Sequence, residues 1–275
     1  MIDFHGLPAV RWRSPGGATA IATLQGAHLV SWIPAGGEEC LFLSERSPFT
    51  PGRAIRGGIP VVFPQFADRG PLAQHGFARN VPWTFAGVDE NGETASARFV
   101  LEASQHTLAA WPHPFRLELV ANLGDIRLDL LLRVENPGAE AFSFTAALHT
   151  YLRVTDASAA RLRGLRFQRY VERGSSRAEM EERDVLTAED PIDRVYLATP
   201  ARLDLGDAHR RFRIEQRGFT DTVVWNPGRE RSAQMTDMAP EGYRRMLCVE
   251  AAAIEPAVRL AAGAAWTGEQ TLAIA

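Results

Sequence analysis

Apolar and polar positions alternate in short runs along most of this chain, and the runs end at glycine, proline and asparagine. Such period-two runs predict half-buried β-strands rather than helices. Residues 19–24 and 27–33 form two segments around a Gln25-Gly26 turn. Residues 34–38, with Gly36-Gly37, break the second, and Cys40-Leu41-Phe42-Leu43 resumes a strand. Within residues 80–90, Trp83 and Phe85 alternate ahead of Val88. Asn91-Gly92 is a hairpin turn signal, and residues 95–101 return as a strand with Arg98 outward. Residues 115–121 and 126–134 alternate on either side of Gly124-Asp125 and make the clearest hairpin. Beyond the Asn136-Pro137-Gly138 turn, residues 142–154 read as one long apolar strand with His149 and Tyr151 near its end. Residues 161–190 are the least regular; rich in Arg and Glu, they fit a short helix around 177–182 or a charged loop equally. A second hairpin joins residues 202–205 and 211–215 around Gly206-Asp207. Residues 221–225 form a strand that Asn226-Pro227-Gly228 ends, and residues 246–251 and 265–274 supply the last two.

Many short strands with turn signals between them and few helical stretches predict an all-β protein, a sandwich or barrel. No fixed-period repeat points to a propeller or solenoid. No linker or composition shift divides the chain, so one large antiparallel β-sandwich domain over residues 1–275 is expected. That architecture alone names no function.

The stretch from Arg56 to Arg79 breaks the pattern. It holds three arginines, one histidine, four glycines and three prolines without helical or strand periodicity. Gly57-Gly58 opens backbone conformations closed to other residues. Pro60 and Pro64 stiffen the backbone around them. Val61, Val62, Phe63 and Phe66 would anchor it to the body, which a solvated linker would not need. A stiff irregular loop presenting Arg and His is where function sits on a regular scaffold.

Composition narrows the partners. The net charge of −3 gives no general attraction to nucleic acid or anionic lipid, so neither is expected as a partner. All 30 basic side chains are arginine, a compositional habit that carries no information about phosphate recognition. Cys40 and Cys248 lie beside apolar residues and are expected as buried free thiols. The first residues lack a basic stretch followed by an apolar run, and no run reaches membrane-span length, so a cytoplasmic protein is expected.

Three groups with acid–base capacity are far apart in sequence: His75 in the irregular loop, His149 in Leu-His-Thr-Tyr, and Glu250 in Cys-Val-Glu-Ala. Each alone also fits a structural role: a core histidine, an outward strand position, a turn cap. Gathered in one pocket, they would supply a general acid and a general base near neutral pH. No phosphate loop with its lysine, no dinucleotide fingerprint, no His-Glu-x-x-His, no Cys-x-x-Cys and no Gly-x-Ser-x-Gly is present.

Taken together, Arg-Gly-Gly-Ile-Pro-Val-Val-Phe-Pro (56–64), Gln-His-Gly-Phe-Ala-Arg (74–79), Leu-His-Thr-Tyr (148–151), Ile-Asp-Arg-Val-Tyr (192–196), Val-Val-Trp-Asn-Pro (223–227) and Cys-Val-Glu (248–250) resemble the D-hexose-6-phosphate mutarotases. These are the glucose-6-phosphate 1-epimerase branch of the aldose 1-epimerase superfamily. The resemblance extends over most of the chain and implies a galactose-mutarotase-like β-sandwich. It implies interconversion of the α and β anomers of a sugar phosphate, with no metal or organic cofactor, and a monomer is expected. Position by position, it makes His149 the general acid and Glu250 the general base. His75 would assist at the sugar ring and Asp193 would hold hydroxyls. Arg56 and Arg79 would meet the 6-phosphate, with Gln74 as a nearby polar contact. Two departures stand out: Ala251 where the family often has proline, and Ala67 where it often has glycine.

Three rival readings remain at this point. One is a mutarotase of non-phosphorylated aldoses. Another is a non-catalytic carbohydrate-binding sandwich that stacks sugar on Trp32, Trp83 or Trp225. The third is a metal enzyme with a two-histidine, one-carboxylate site.

Overall fold

The computed structural model describes residues 1–189 and 191–275. Strands are numbered in chain order. A four-stranded sheet runs β1 (Ile2–Phe4), β2 (Leu7–Arg13), β3 (Thr19–Thr23), β4 (His28–Ile33). An eight-stranded sheet has the order β14 (Ala178–Met180), β13 (Arg169–Glu172), β16 (Ile192–Leu197), β19 (Asp221–Asn226), β20 (Met246–Leu260), β10 (Phe142–Leu148), β5 (Val61–Val62), and β11 (Tyr151–Arg153) also pairs with β20. A nine-stranded sheet has the order β15 (Val185–Leu186), β12 (Arg161–Arg163), β17 (Arg202–Gly206), β18 (Arg211–Arg217), β21 (Ala265–Ile274), β9 (Arg127–Glu135), β8 (Arg116–Leu123), β7 (Ala95–Glu102), β6 (Thr84–Glu90). The named strand pairs are antiparallel, and the fold is the all-β sandwich expected.

Alternation decides which face of each strand is inside. In the β8–β9 hairpin, Leu117, Leu119, Leu123, Leu128, Leu130 and Leu132 are all buried in one continuous core. Each such leucine contributes about 1.5–3 kcal/mol by leaving water. On β20, Leu247, Val249, Ala251 and Ala253 belong to that core. Cys248, Ala252 and Ile254 face the other way, into a second cluster with Tyr151, Val195, Val223 and Trp225. Glu250 shares the parity of that second face. The eight-stranded sheet therefore has one face on the core and one open to a functional layer.

Several sequence expectations are corrected. Residues 40–43 make isolated bridges, Leu41 to Leu152 and Leu43 to Gly57, instead of a strand. Residues 142–154 are two strands, β10 and β11. The break falls at His149-Thr150, where Pro60 O takes the His149 N–H and Gly58 O takes the Tyr151 N–H. Residues 178–180 are the edge strand β14, not a helix; its side chains are mostly exposed, so no apolar alternation marked it. The irregular region supplies β12 to β15, and its last residue, Asp190, lies outside the described residues. Two helices were not foreseen: α1 (Gln105–Ala110), opened by a Ser104–Thr107 capping box, and α2 (Gly228–Gln234), which follows the turn at Asn226. Among the described residues, no helix is long and apolar enough to cross a membrane.

Candidate active site

A cleft of about 340 Å³ lies on the open face of the eight-stranded sheet. Its floor is set by strand register. Glu250 on β20 is opposite Val223 of β19 on one side. On the other side β20 pairs with β10 through Leu148 and with β11 through Tyr151, so Glu250 falls at the gap between them. His149 occupies that gap. Its Nδ1 lies 3.2 Å from Glu250 Oε1. The two side chains are almost fully buried. Two atoms of the pair, His149 Nδ1 and Glu250 Oε2, make no hydrogen bond among the described residues. A buried polar atom without a partner is a costly arrangement that points to a ligand or a catalytic role.

Aromatic packing fixes the histidine ring. His149 stacks on Tyr151 at 4.7 Å, with its edge neighbours Trp225 at 6.0 Å and His75 at 5.4 Å. Tyr151 Oη accepts from Arg56 Nη1 at 2.9 Å, and Arg56 Nε and Nη2 both donate to Asp237 Oδ2 at 3.2 and 3.0 Å. Behind the floor, Gln270 of β21 ties the pair together across the core. Its Nε2 donates to Val249 O at 3.1 Å, and its Oε1 accepts from Thr150 Oγ1. Val249 N in turn donates to Thr150 O. The residues next to His149 and next to Glu250 are thus held by one buried amide.

The irregular loop is positioned by its glycines and by β5. Gly57 has φ +115°, and a Cβ there would overlap the Phe42 carbonyl. His28, buried behind it, donates Nε2–H to Gly57 O at 2.7 Å. Only glycine lets Arg56 enter the cleft along this path. Farther on, His75 itself has φ +68°. A non-glycine residue held in this region stores strain, typical of functional positions. Its Nδ1 accepts from Ala67 N at 3.2 Å, which leaves Nε2 as the protonated nitrogen.

Electrostatics set the protonation of the floor. Burial, followed by the charges of Arg79, Arg56 and Arg173, pushes His75 down to about 3. Burial, reinforced by His75, Arg79 and Arg56, pulls His149 well below its ordinary 6.5. Burial, with Asp193 beside it, lifts Glu250 well above 4.5. Burial thus disfavours the charged form of both catalytic candidates, the imidazolium of His149 and the carboxylate of Glu250.

Of the residues singled out in the sequence, Arg56, Gln74, His75, His149, Asp193 and Glu250 line the cleft. Arg79 does not; its Nη2 donates to Gln74 O at 3.0 Å, and its charge acts on the histidines from beside the cleft. Trp32 and Trp83 are core residues, so only Trp225 of the three tryptophans reaches the cleft. Arg69, Arg173 and Arg231 were missed, and all three line it. Arg173 comes from the arginine-rich irregular region; Arg231 lies on α2, which periodicity did not signal. Among the described residues, the three-donor group brought within ligand reach is His149, Cys248 and Glu250, not two histidines and a carboxylate. Burial raises both Cys248 and Glu250, which opposes the deprotonated ligand set a cation needs.

Known proteins converge on the same reading. A curated protein of Cenchrus ciliaris, provisionally named glucose-6-phosphate 1-epimerase, is 36% identical over 281 residues, covering 97% of this chain and 84% of its own. One of Escherichia coli K12 with the same provisional name is 38% identical over 237 residues, covering 83% of this chain and 78% of its own. The crystal structure of a provisionally named mutarotase from Salmonella typhimurium superposes with a TM-score of 0.91 at 32% identity, covering 99% of this chain and 92% of that one. The family model described as aldose 1-epimerase matches residues 8–273, which takes in every strand that builds the cleft, and the chain belongs to the aldose 1-epimerase family.

Proposed function

We propose that this epimerase interconverts the α and β anomers of a D-hexose 6-phosphate, the substrate class named for its relatives. The observation that carries the reading is the buried His149–Glu250 pair at 3.2 Å on the cleft floor. A proton passed within this pair suits the chemistry. Transfer of that proton from Glu250 Oε1 to His149 Nδ1 gives a carboxylate and an imidazolium without exchange with water. Glu250 then takes the proton of the anomeric hydroxyl, and the O–H electron pair becomes the C1=O1 bond. The bond from C1 to the ring oxygen breaks toward oxygen, which takes a proton from His149 Nε2. The pair is again neutral, and the open aldehyde rotates about C1–C2. Closure by the reverse steps on the other face gives the other anomer.

The remaining residues orient the sugar. His75, neutral at working pH, donates Nε2–H to a ring substituent. Asp193 accepts from hydroxyls, and Gln74 adds a polar contact at the mouth. Arg56 keeps Tyr151 under the His149 ring. We take the protein to act as a single-domain cytoplasmic monomer on a small-molecule substrate, without metal or organic cofactor.

The test is anomerisation of freshly dissolved α-glucose 6-phosphate, read through a β-specific dehydrogenase, beside free α-glucose followed by polarimetry. Acceleration of the phosphorylated sugar is expected. Equal acceleration of both would make the enzyme a general aldose mutarotase. Acceleration of neither would leave a carbohydrate-binding sandwich.

A further inference from the structure

Among the arginines around the cleft, Arg56 has a partner on every nitrogen, which takes three of its five N–H donors. Asp237 takes Nε and Nη2, Tyr151 takes Nη1, and the carboxylate meets the charge. Arg79 stands off the cleft. The rim is different. Arg173, on the turn after β13, and Arg231, on α2, approach one oxygen, Asp193 Oδ2, at 3.5 and 3.0 Å. Two guanidiniums share one carboxylate and leave one positive charge in surplus. Among the described residues, the other nitrogens of both side chains and Asp193 Oδ1 make no hydrogen bond to protein. Both arginine side chains remain 43% exposed. The Arg173 backbone N–H also donates to Asp193 O at 2.8 Å, so the turn and β16 hold this group in place.

Planar guanidiniums with unused donors match the several acceptor oxygens of a phosphate, each able to make paired charge-assisted bonds. A dianion received at a half-exposed rim keeps part of its hydration, whereas one brought to the buried floor would lose it. We propose that Arg173 and Arg231, braced by Asp193 Oδ2, receive the phosphate of the substrate at the cleft rim, while Asp193 Oδ1 accepts from the 4-hydroxyl, the ring hydroxyl nearest the phosphate-bearing arm. This assignment rests on the reading of the substrate as a hexose 6-phosphate and relocates its phosphate from Arg56 and Arg79. One carboxylate thus sets the spacing of the two cations and measures the distance from phosphate to sugar hydroxyl.

Arg173→Gln, Arg231→Gln and the double variant test it, with Arg173→Lys and Arg231→Lys retaining charge but losing the fork. KM and kcat are measured for α-glucose 6-phosphate and for glucose, and binding of glucose 6-phosphate and of inorganic phosphate is measured by calorimetry. Each Gln variant is expected to raise KM for the phosphorylated sugar about tenfold, the loss of one charge-assisted contact. Its kcat and the kinetics with free glucose stay as in the wild type, the Lys variants recover part of the loss, and the double variant loses phosphate binding. A double variant with wild-type KM and wild-type phosphate binding overturns the assignment, as does an equal loss on both sugars. A wild-type protein that binds glucose 6-phosphate through these arginines without anomerising it would instead overturn the mutarotase reading and leave the phosphate site standing.

Discussion

At the floor of the cleft His149 and Glu250 are 6% and 1% exposed, while at the rim Arg173 and Arg231 keep 43% of their side chains open. The floor is held from behind by strand register, by ring stacking and by the Gln270 amide, and its groups are driven neutral by burial. The rim stays charged because water still reaches it. The floor can therefore be catalytic: groups near neutrality in a low dielectric exchange protons readily and interact strongly with developing charge. The rim can only bind and select, since its interactions are weakened by solvent and salt. The two regions should respond to perturbation in different kinetic constants.

The largest effect belongs to the floor. His149→Ala and Glu250→Gln should each reduce kcat by about 10²–10⁴-fold, the usual contribution of a proton-transfer group. KM for the phosphorylated sugar should change little, because the rim is untouched. The rim variants come next, with KM raised and kcat kept, the reverse split. A variant from either region that moves the other region's constant breaks the comparison.

Gln270→Leu probes whether the floor is held from behind. It strips partners from Thr150 and from Val249 O, and an unsatisfied buried group costs about 1–3 kcal/mol. Lower stability in denaturant, with kcat down about tenfold and KM kept, is expected if small displacements of the pair matter. Lower stability with wild-type kcat would show that the strut supports the fold alone.

The floor's neutrality also has a stability signature. Glu250 has a folded pKa raised above 4.5, so above that pH the unfolded chain releases a proton that the folded chain retains. Folding stability from this residue is lost as pH rises through that window. Glu250→Gln should therefore raise the melting temperature at neutral pH, and the advantage should disappear below about pH 4.5, where the unfolded carboxyl is neutral too. An inactive but more stable variant is the pattern of a site tuned for function at the expense of stability. His149, depressed below 6.5, predicts that activity persists as pH falls through that value and declines only farther down. Smallest of all, KM for the phosphorylated sugar should rise a few-fold between low and high salt while that for glucose holds, measured at fixed pH.

The sequence carried the strand-rich scaffold because period-two alternation survives wherever one face of a strand is buried, as in β8 and β9. It lost β14, whose residues are mostly exposed, and the break at His149-Thr150, because hydrogen bonds to the Pro60 and Gly58 carbonyls act across about ninety residues and leave no local mark. The catalytic candidates were legible through motif likeness, not through chemistry: nothing in the local sequence places His149 next to Glu250. Arg231 was hidden by the unforeseen α2, and Arg173 by a region whose many arginines look alike until Asp193 singles one out. Arg56 was legible as a cleft residue, but its commitment to Asp237 depends on a contact between residues far apart in the chain.

The most direct measurement is the anomerisation rate of α-glucose 6-phosphate with wild-type enzyme and with Glu250→Gln, each after subtraction of the spontaneous rate. Acceleration by the wild type that falls to near the spontaneous rate in the variant is predicted. A variant that retains the wild-type rate would contradict the assignment of proton transfer to the buried pair.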